Sequence, residues 1–289
     1  MGYRIITDST ADLSPELVAD LGVEVIPMEF SLEGKNYFNY PDERELSSKD
    51  FYDMLRNEKS ATTAQVTAAR FEEIFEPFLQ AGEDVLYIAF SSGLSGTYES
   101  SVMALRALQE KYPDRKMFSV DSLSASMGEG LLVYHAVMRQ REGMTIEQLR
   151  DWLMENRLHL CHWFTVDDLN HLKRGGRISS ATALLGTMLG IKPVLHVDDE
   201  GHLINVGKVR GRRQSIAALA DNMEKTCVNP QDQTIFISHG DCLEDARTLE
   251  EMVKERFHVK RVYINPIGPV IGAHSGPGTV ALFFLGTKR

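Results

Sequence analysis

Short apolar runs alternate with amphipathic stretches along the first half of the chain. Arg4-Ile5-Ile6 predicts a first strand, closed by Thr7-Asp8-Ser9-Thr10, and Ser14 followed by Pro15 opens a helix. Residues 23–28 read as a second strand, Gly34-Lys35 as a turn, and 50–56 as a helix behind the capping candidates Ser47 and Ser48. The polar stretch 60–67 reads as a loop entering a helix over 70–80, with Thr67 as its cap. Residues 84–90 are apolar and suit a buried strand, and Val102, Leu105 and Leu108 place a helix over 100–110. A strand over 116–120 closes on Asp121-Ser122, a long helix covers 125–141, and Thr145 to Gln148 has the spacing of a capping box. This alternation predicts a parallel sheet covered on both faces. Ligands of such sheets collect at the carboxyl ends of the strands, where Thr7–Thr10, Ser91–Thr97 and Asp121–Ser122 would lie.

The pattern changes near residue 158, which divides the chain into expected domains 1–157 and 158–289. A strand over 158–166 precedes a short helix opened by Asp167 or Asp168, then Gly175-Gly176 between basic residues, a tight turn that would aim Arg177. Residues 181–191 are apolar almost all round and are expected to be buried. Residues 192–197 and 202–209 pair as a hairpin across Asp198-Asp199-Glu200-Gly201, a helix runs from Arg210-Gly211-Arg212-Arg213 to about Lys225, and strands over 233–239, 260–265 and 280–285 surround a helix over 244–257. The expected fold class is α/β in two domains, a Rossmann-like parallel sheet followed by an α/β domain with a mixed or antiparallel sheet.

Composition narrows the chemistry. Among 289 residues, 43% are hydrophobic and 25% charged, the balance of a soluble globular protein. The formal net charge of -10 argues against bulk nucleic-acid binding, and no apolar run reaches membrane-spanning length. Cys161, Cys227 and Cys242 form neither a disulfide framework nor a zinc pattern, as expected of a reduced cytoplasmic protein. His159 and His162 would face opposite sides of one strand, so no metal is expected. Gly128 and Gly130 fall inside a helical pattern and no phosphate-binding loop motif is present, so nucleotide binding has no support.

The stretch Ser91-Ser92-Gly93-Leu94-Ser95-Gly96-Thr97-Tyr98 places hydroxyls and glycines where a strand hands over to a helix, suiting an anion. Gly93 and Gly96 would admit a ligand to the backbone, and Ser95 could cap the helix; a plain capped helix fits the same residues. His274, among four glycines and two prolines, is poorly suited to an ordinary core. A serine nucleophile with His274 as base is one reading, but Gly93-Leu94-Ser95-Gly96-Thr97 lacks the last glycine of a nucleophile elbow. Hydroxyls at Thr62, Thr63 and Ser95, the His274 imidazole and the Arg177 guanidinium better suit recognition of a carboxylate or phosphate. Arg210, Arg212 and Arg213 are the one dense basic cluster, either a solvated helix start or a surface for a partner or phosphate.

Four motifs carry a family resemblance. Ile6-Thr7-Asp8-Ser9-Thr10-Ala11-Asp12-Leu13, the Ser91 to Tyr98 stretch, Leu172-Lys173-Arg174-Gly175-Gly176-Arg177-Ile178, and Gly272-Ala273-His274-Ser275-Gly276-Pro277-Gly278 together resemble the DegV family. That family consists of bacterial fatty-acid-binding proteins, including binding subunits of fatty acid kinase. The resemblance spans Ile5 to about Phe284 and implies one long-chain fatty acid in a buried tunnel. It implies a carboxylate held by Thr63, Ser95 and His274, with Arg177 nearby and no cofactor besides the lipid. The family's Thr-Ser-Gln-Pro reads Thr63-Ala64-Gln65-Val66 here, so Thr62 could replace Thr63 in a loop without its proline. The nearly all-apolar helix offers Leu184, Leu185, Met188 and Leu189 as tunnel wall. The implied partner is a separate kinase subunit that phosphorylates the bound carboxylate, met by the basic cluster, with no nucleic acid and no stable membrane insertion. Rival readings are an acyl-ester or acyl-phosphate hydrolase using Ser95 and His274, and a small-anion sensor without a lipid tunnel.

Overall fold

The computed structural model describes residues 2–179 and 190–289. Strands β1 (Tyr3–Asp8), β2 (Glu24–Ile26), β6 (Asp84–Ala89) and β7 (Met117–Asp121) form a parallel sheet in the order β2-β1-β6-β7. Its crossovers include α1 (Pro15–Leu21), capped by Ser14 with Pro15 in its first turn, and α4 (Thr97–Lys111). Helix α3 (Ala68–Gln80) starts where the Thr67 hydroxyl accepts from the Arg70 N–H, as its sequence predicts.

The predicted second strand divides. Pro27 has no N–H to give to a ladder, and beyond it β3 (Met28–Leu32) turns into a small antiparallel sheet. There β3 pairs with β4 (Lys35–Asn39) on one side and β5 (Ala61–Thr63) on the other. The stretch 60–67 is therefore more than a helix-entry loop. Thr63 lies opposite Phe30 in a ladder, and strand alternation puts Thr62 and Thr63 on opposite faces. Helix α2 (Ser48–Arg56) carries the predicted Ser47 cap.

After α5 (Met127–Arg141) and α6 (Ile146–Asn156), the second sheet runs β10-β9-β8-β13-β11-β12. Its strands are β8 (Leu160–Thr165), β9 (Ile191–Val197), β10 (Leu203–Arg210), β11 (Thr234–His239), β12 (Arg261–Pro266) and β13 (Val280–Leu285). Only β11 and β12 pair in parallel, so the sheet is mixed, as expected. Helix α7 (Asn170–Arg174) follows β8, α8 (Arg212–Thr226) and α9 (Leu243–Phe257) flank β11, and α10 (Pro269–Ser275) leads into β13.

Helix α5 explains how the sheets join. Leu131, Leu132, Val133 and Ala136 are wholly buried around its circumference, and the helix packs on β1 and β6 on one side and β8, β11 and β13 on the other. One apolar core thus contains Ile5 and Leu86 of the first sheet together with Phe164, Phe236 and Phe283 of the second.

Candidate ligand-binding site

Beside the start of α5 lies a cavity of about 210 Å3. Its apolar wall includes Phe90, Leu94, Phe164, Leu172, Val270 and Ile271, drawn from both halves of the chain. Phe90, Leu94 and Ala125 form a small buried cluster apart from the large cores, with Leu203 and Ile271 against it. All five line the cavity, so this apolar surface faces the cavity space.

Polar groups gather where the cavity meets a second, more polar cleft. Thr63, Arg177 and His274 line both spaces, making the boundary between them. Strand β5 presents Thr63 and α10 presents His274, and Thr63 Oγ1 lies 2.8 Å from His274 Nε2. Burial, with the Arg177 charge adding to it, lowers His274 to about 4, so its ring is neutral at pH 7. Its Nδ1 is buried with no hydrogen-bond partner among the described residues. A side chain on Gly175 would collide with that nitrogen, so the first of the two glycines makes room for the imidazole. Gly176, at φ +72°, turns the chain so that Arg177 reaches back. Arg177 Nε donates to the Leu94 carbonyl at 3.2 Å and its Nη1 to that of Gly175, tying this turn to the loop after β6.

That loop works differently from its sequence reading. A Cβ on Gly93 would meet the Glu200 carbonyl oxygen at 2.8 Å, and one on Gly96 would strike the Gln65 side chain. The Gly93 approach is to the β9–β10 hairpin turn, whose Gly201 carbonyl also accepts from Ser91 Oγ at 2.9 Å. These glycines admit the protein's own backbone and side chains. The N-cap of α4 is Gly96 and makes no side-chain cap bond. Ser95 Oγ instead accepts from the Thr97 N–H at 3.3 Å and lies 2.9 Å from Thr97 Oγ1, with Ser95 lining the cavity.

The predicted residues separate into groups. Thr63, Ser95, Arg177 and His274 meet at the cavity, whereas Thr62 lines only the outer cleft. His274 is bonded to Thr63, and no hydrogen bond joins it to Ser95 among the described residues, so the pairing a serine nucleophile needs is not made. Leu184, Leu185, Met188 and Leu189 lie outside the described residues. Arg210 and Arg213 are exposed, but Arg212 turns inward. Its Nε donates to Asp245 Oδ2 at 2.8 Å and its Nη2 to the Gly278 carbonyl at 2.6 Å, with Asp167 3.5 Å from Nη1. The outer cleft has basic groups, Lys59 and Arg174 beside Arg177, and acidic ones, Glu58 and Asp168, with Lys59 paired to Glu33 at 3.1 Å. Sequence reasoning had Arg174 only as part of the glycine-turn motif and passed over Lys59, which is remote from it in the chain. Also missed was His162, on the same face of β8 as the cavity-lining Phe164; strand alternation was the signal for it.

Among the described residues no cluster of His, Cys, Asp and Glu could hold a metal ion, and no helix is long and apolar enough to cross a membrane. The fold is that of an α/β protein with a parallel N-terminal sheet and a mixed C-terminal sheet, with an apolar cavity bordered by Thr63, Arg177 and His274. The chain belongs to the DegV family, whose profile, described as "Uncharacterised protein, DegV family", matches residues 3–287. It is 48% identical over 287 residues to the DegV domain-containing protein CPE0026 of Clostridium perfringens, covering 99% of this chain and 98% of that one. A structure described as fatty acid binding of a DegV family protein from Thermus thermophilus superposes with a TM-score of 0.84 at 30% identity, covering 98% of this chain and 99% of the other. The Streptococcus pneumoniae Fatty Acid Kinase (Fak) B3 protein, loaded with linoleic acid, shares the fold with a TM-score of 0.85 at 19% identity, over 99% of both chains.

Proposed function

We propose that this protein is a cytoplasmic fatty-acid carrier without catalytic activity of its own, its ligand enclosed between domains 1–157 and 158–289. The acyl tail fills the apolar cavity, and the carboxylate lies at the boundary formed by Thr63, Arg177 and His274, with Ser95 beside it. The observation that carries this reading is that those three residues line both the apolar cavity and the more polar cleft beside it. A head group held there keeps its tail out of water and its oxygens within reach of a partner. Burying a chain of roughly fourteen methylenes offers ~11 kcal/mol before ordering costs, so the tail supplies affinity and the head orientation. His274 acts by orienting Thr63: an imidazole that donates from Nε2 to Thr63 Oγ1 leaves the threonine proton free for a carboxylate. The fatty-acid-binding Thermus relative supports the ligand class.

The carboxylate is presented to a separate kinase subunit that forms acyl phosphate. The likeness to the pneumococcal kinase protein is one of fold, so this step rests on the geometry of the cleft and on the family resemblance. Lys59, Arg174 and Arg177 outnumber the acidic Glu58 and Asp168 in the lining of the cleft, while Arg210 and Arg213 offer a second exposed basic surface. Titration with a long-chain fatty acid, followed by acyl phosphate formation with the cognate kinase, tests both steps. Lys59→Glu with Arg174→Glu should leave fatty-acid binding within about twofold and slow turnover, more so at low salt. Normal turnover in that variant would remove the cleft from docking, and no fatty-acid binding by the wild type would overturn the carrier.

A further inference from the structure

The cavity wall carries His162, a polar group that a plain hydrocarbon chain would leave unserved. His162 lies on β8 directly across from Phe283 of β13, and Phe164, two residues on, lies across from Ala281. Phe164 and Ala281 line the cavity, and by strand alternation His162 emerges from the same face, where it also lines the cavity. Its ring packs 4.5 Å from that of Phe283 and 5.6 Å from that of Phe164, centroid to centroid. The residue is 4% exposed, and Nδ1 is buried with no hydrogen-bond partner among the described residues. Its backbone carbonyl accepts from His196 Nδ1 at 3.0 Å, and among the described residues no side-chain hydrogen bond is made by its own ring. The charged neighbour is Arg289, whose guanidinium is committed to the carbonyls of Leu123, Arg157, Leu160 and Asp198. Burial, with Arg289 and His196 adding to it, keeps the His162 ring neutral.

A neutral imidazole carries one donor and one acceptor, and leaving such a group unpaired in an apolar wall is costly. A phenylalanine at this position would fill the wall with no such cost. Resting on the carrier reading, we propose that the cavity is built for an acyl chain carrying an oxygen along its tail, a hydroxyl or keto group that hydrogen-bonds the His162 ring. The boundary residues hold the carboxylate, and His162 selects among tails.

The experiment compares stearate with a set of positional isomers of hydroxystearate by direct titration of the full chain, in wild type, His162→Phe and His162→Gln. At least one isomer should bind wild type about tenfold more tightly than stearate, the value of one well-placed hydrogen bond. His162→Phe should abolish that preference while binding stearate at least as well as wild type, and His162→Gln, which keeps a donor and an acceptor, should retain part of it. Thermal unfolding of His162→Phe at or above the wild-type midpoint would show that the lost preference is not lost folding. Equal or weaker binding of every hydroxystearate by wild type, or a preference that survives in His162→Phe, overturns the proposal while leaving the carrier intact. If wild type binds none of these acids, the carrier reading falls, and this proposal with it.

Discussion

Two polar clusters lie close to the junction of the sheets, and they differ in whether their hydrogen bonds are complete. At the end of β1, Thr7, Asp8, Thr10 and Glu129 are 0% exposed. Asp8 accepts from the Thr10 N–H at 2.9 Å, the Thr10 hydroxyl, the Tyr87 hydroxyl at 2.5 Å and the Phe90 N–H at 3.4 Å. Glu129, projecting from α5, lies 2.8 Å from both threonine hydroxyls, and Asp12 accepts from Ser126 Oγ at 2.6 Å and the Gly268 N–H at 2.9 Å. At the cavity boundary, by contrast, Thr63, Ser95, Arg177 and His274 are partly exposed, and His274 Nδ1 and Ser275 Oγ have no partner among the described residues. Both clusters come from hydroxyl-rich motifs at element ends, and residue type alone does not separate them. Pairing does: every side-chain oxygen named in the first cluster has a partner inside the protein, which makes it an internal brace, whereas the second keeps unpaired atoms among the described residues.

The largest effect should come from breaking the brace. Asp8→Ala strands the donors of Thr10, Tyr87 and Phe90 in a buried site and should cost about 3–5 kcal/mol of folding stability, measured by urea unfolding. A loss under about 1 kcal/mol would mean that the cluster does not hold the sheets together. At the boundary the signs exchange. His274→Ala and Ser95→Ala should each weaken fatty-acid binding by roughly ten- to a hundred-fold, with folding stability changed much less than in Asp8→Ala. Wild-type affinity in both variants would remove these residues from the site.

A smaller effect sharpens the reading of the brace. Thr7 has one hydroxyl proton but lies 3.0 Å from the Ile88 carbonyl and 2.8 Å from Glu129 Oε1, an arrangement satisfied when Glu129 itself carries a proton. Burial, reinforced by the Asp8 charge, raises Glu129 well above the usual carboxylate range. From pH 4.5 up to its folded pKa, the folded chain therefore holds a proton that the unfolded chain releases, and stability falls as pH rises through that window. Glu129→Gln should remove this slope and gain on wild type by about 1.4 kcal/mol at most per pH unit, read from unfolding between pH 5 and pH 7. Parallel pH dependences in the two proteins would show that Glu129 is ionised in the fold.

The same contrast explains what the sequence could reveal. The alternation of strands and helices, the Ser14, Ser47 and Thr67 caps and the β9–β10 hairpin were legible because each depends on a few neighbouring residues. The departure of β3 into its own sheet at Pro27 and the pairing of β5 were not, because both are set by contacts across the chain. Within the candidate site, Thr63, Ser95, Arg177 and His274 were found through motifs, and their shared position between cavity and cleft required the fold. Arg212 looked like part of a surface patch because its ion partners, Asp167 and Asp245, are remote in sequence. The glycines at 93 and 96 were assigned to a ligand when they accommodate Glu200 and Gln65, for the same reason.

The central claim is that the cavity behind Thr63 and His274 holds one fatty acid. Native mass spectrometry of the protein purified from cells, followed by denaturation and identification of what is released, tests it most directly. The account predicts a single adduct per chain with the mass of a long-chain fatty acid, lost on denaturation and diminished in His274→Ala. A wild-type protein that carries no lipid from cells, and takes up none when long-chain fatty acid is added, would contradict it.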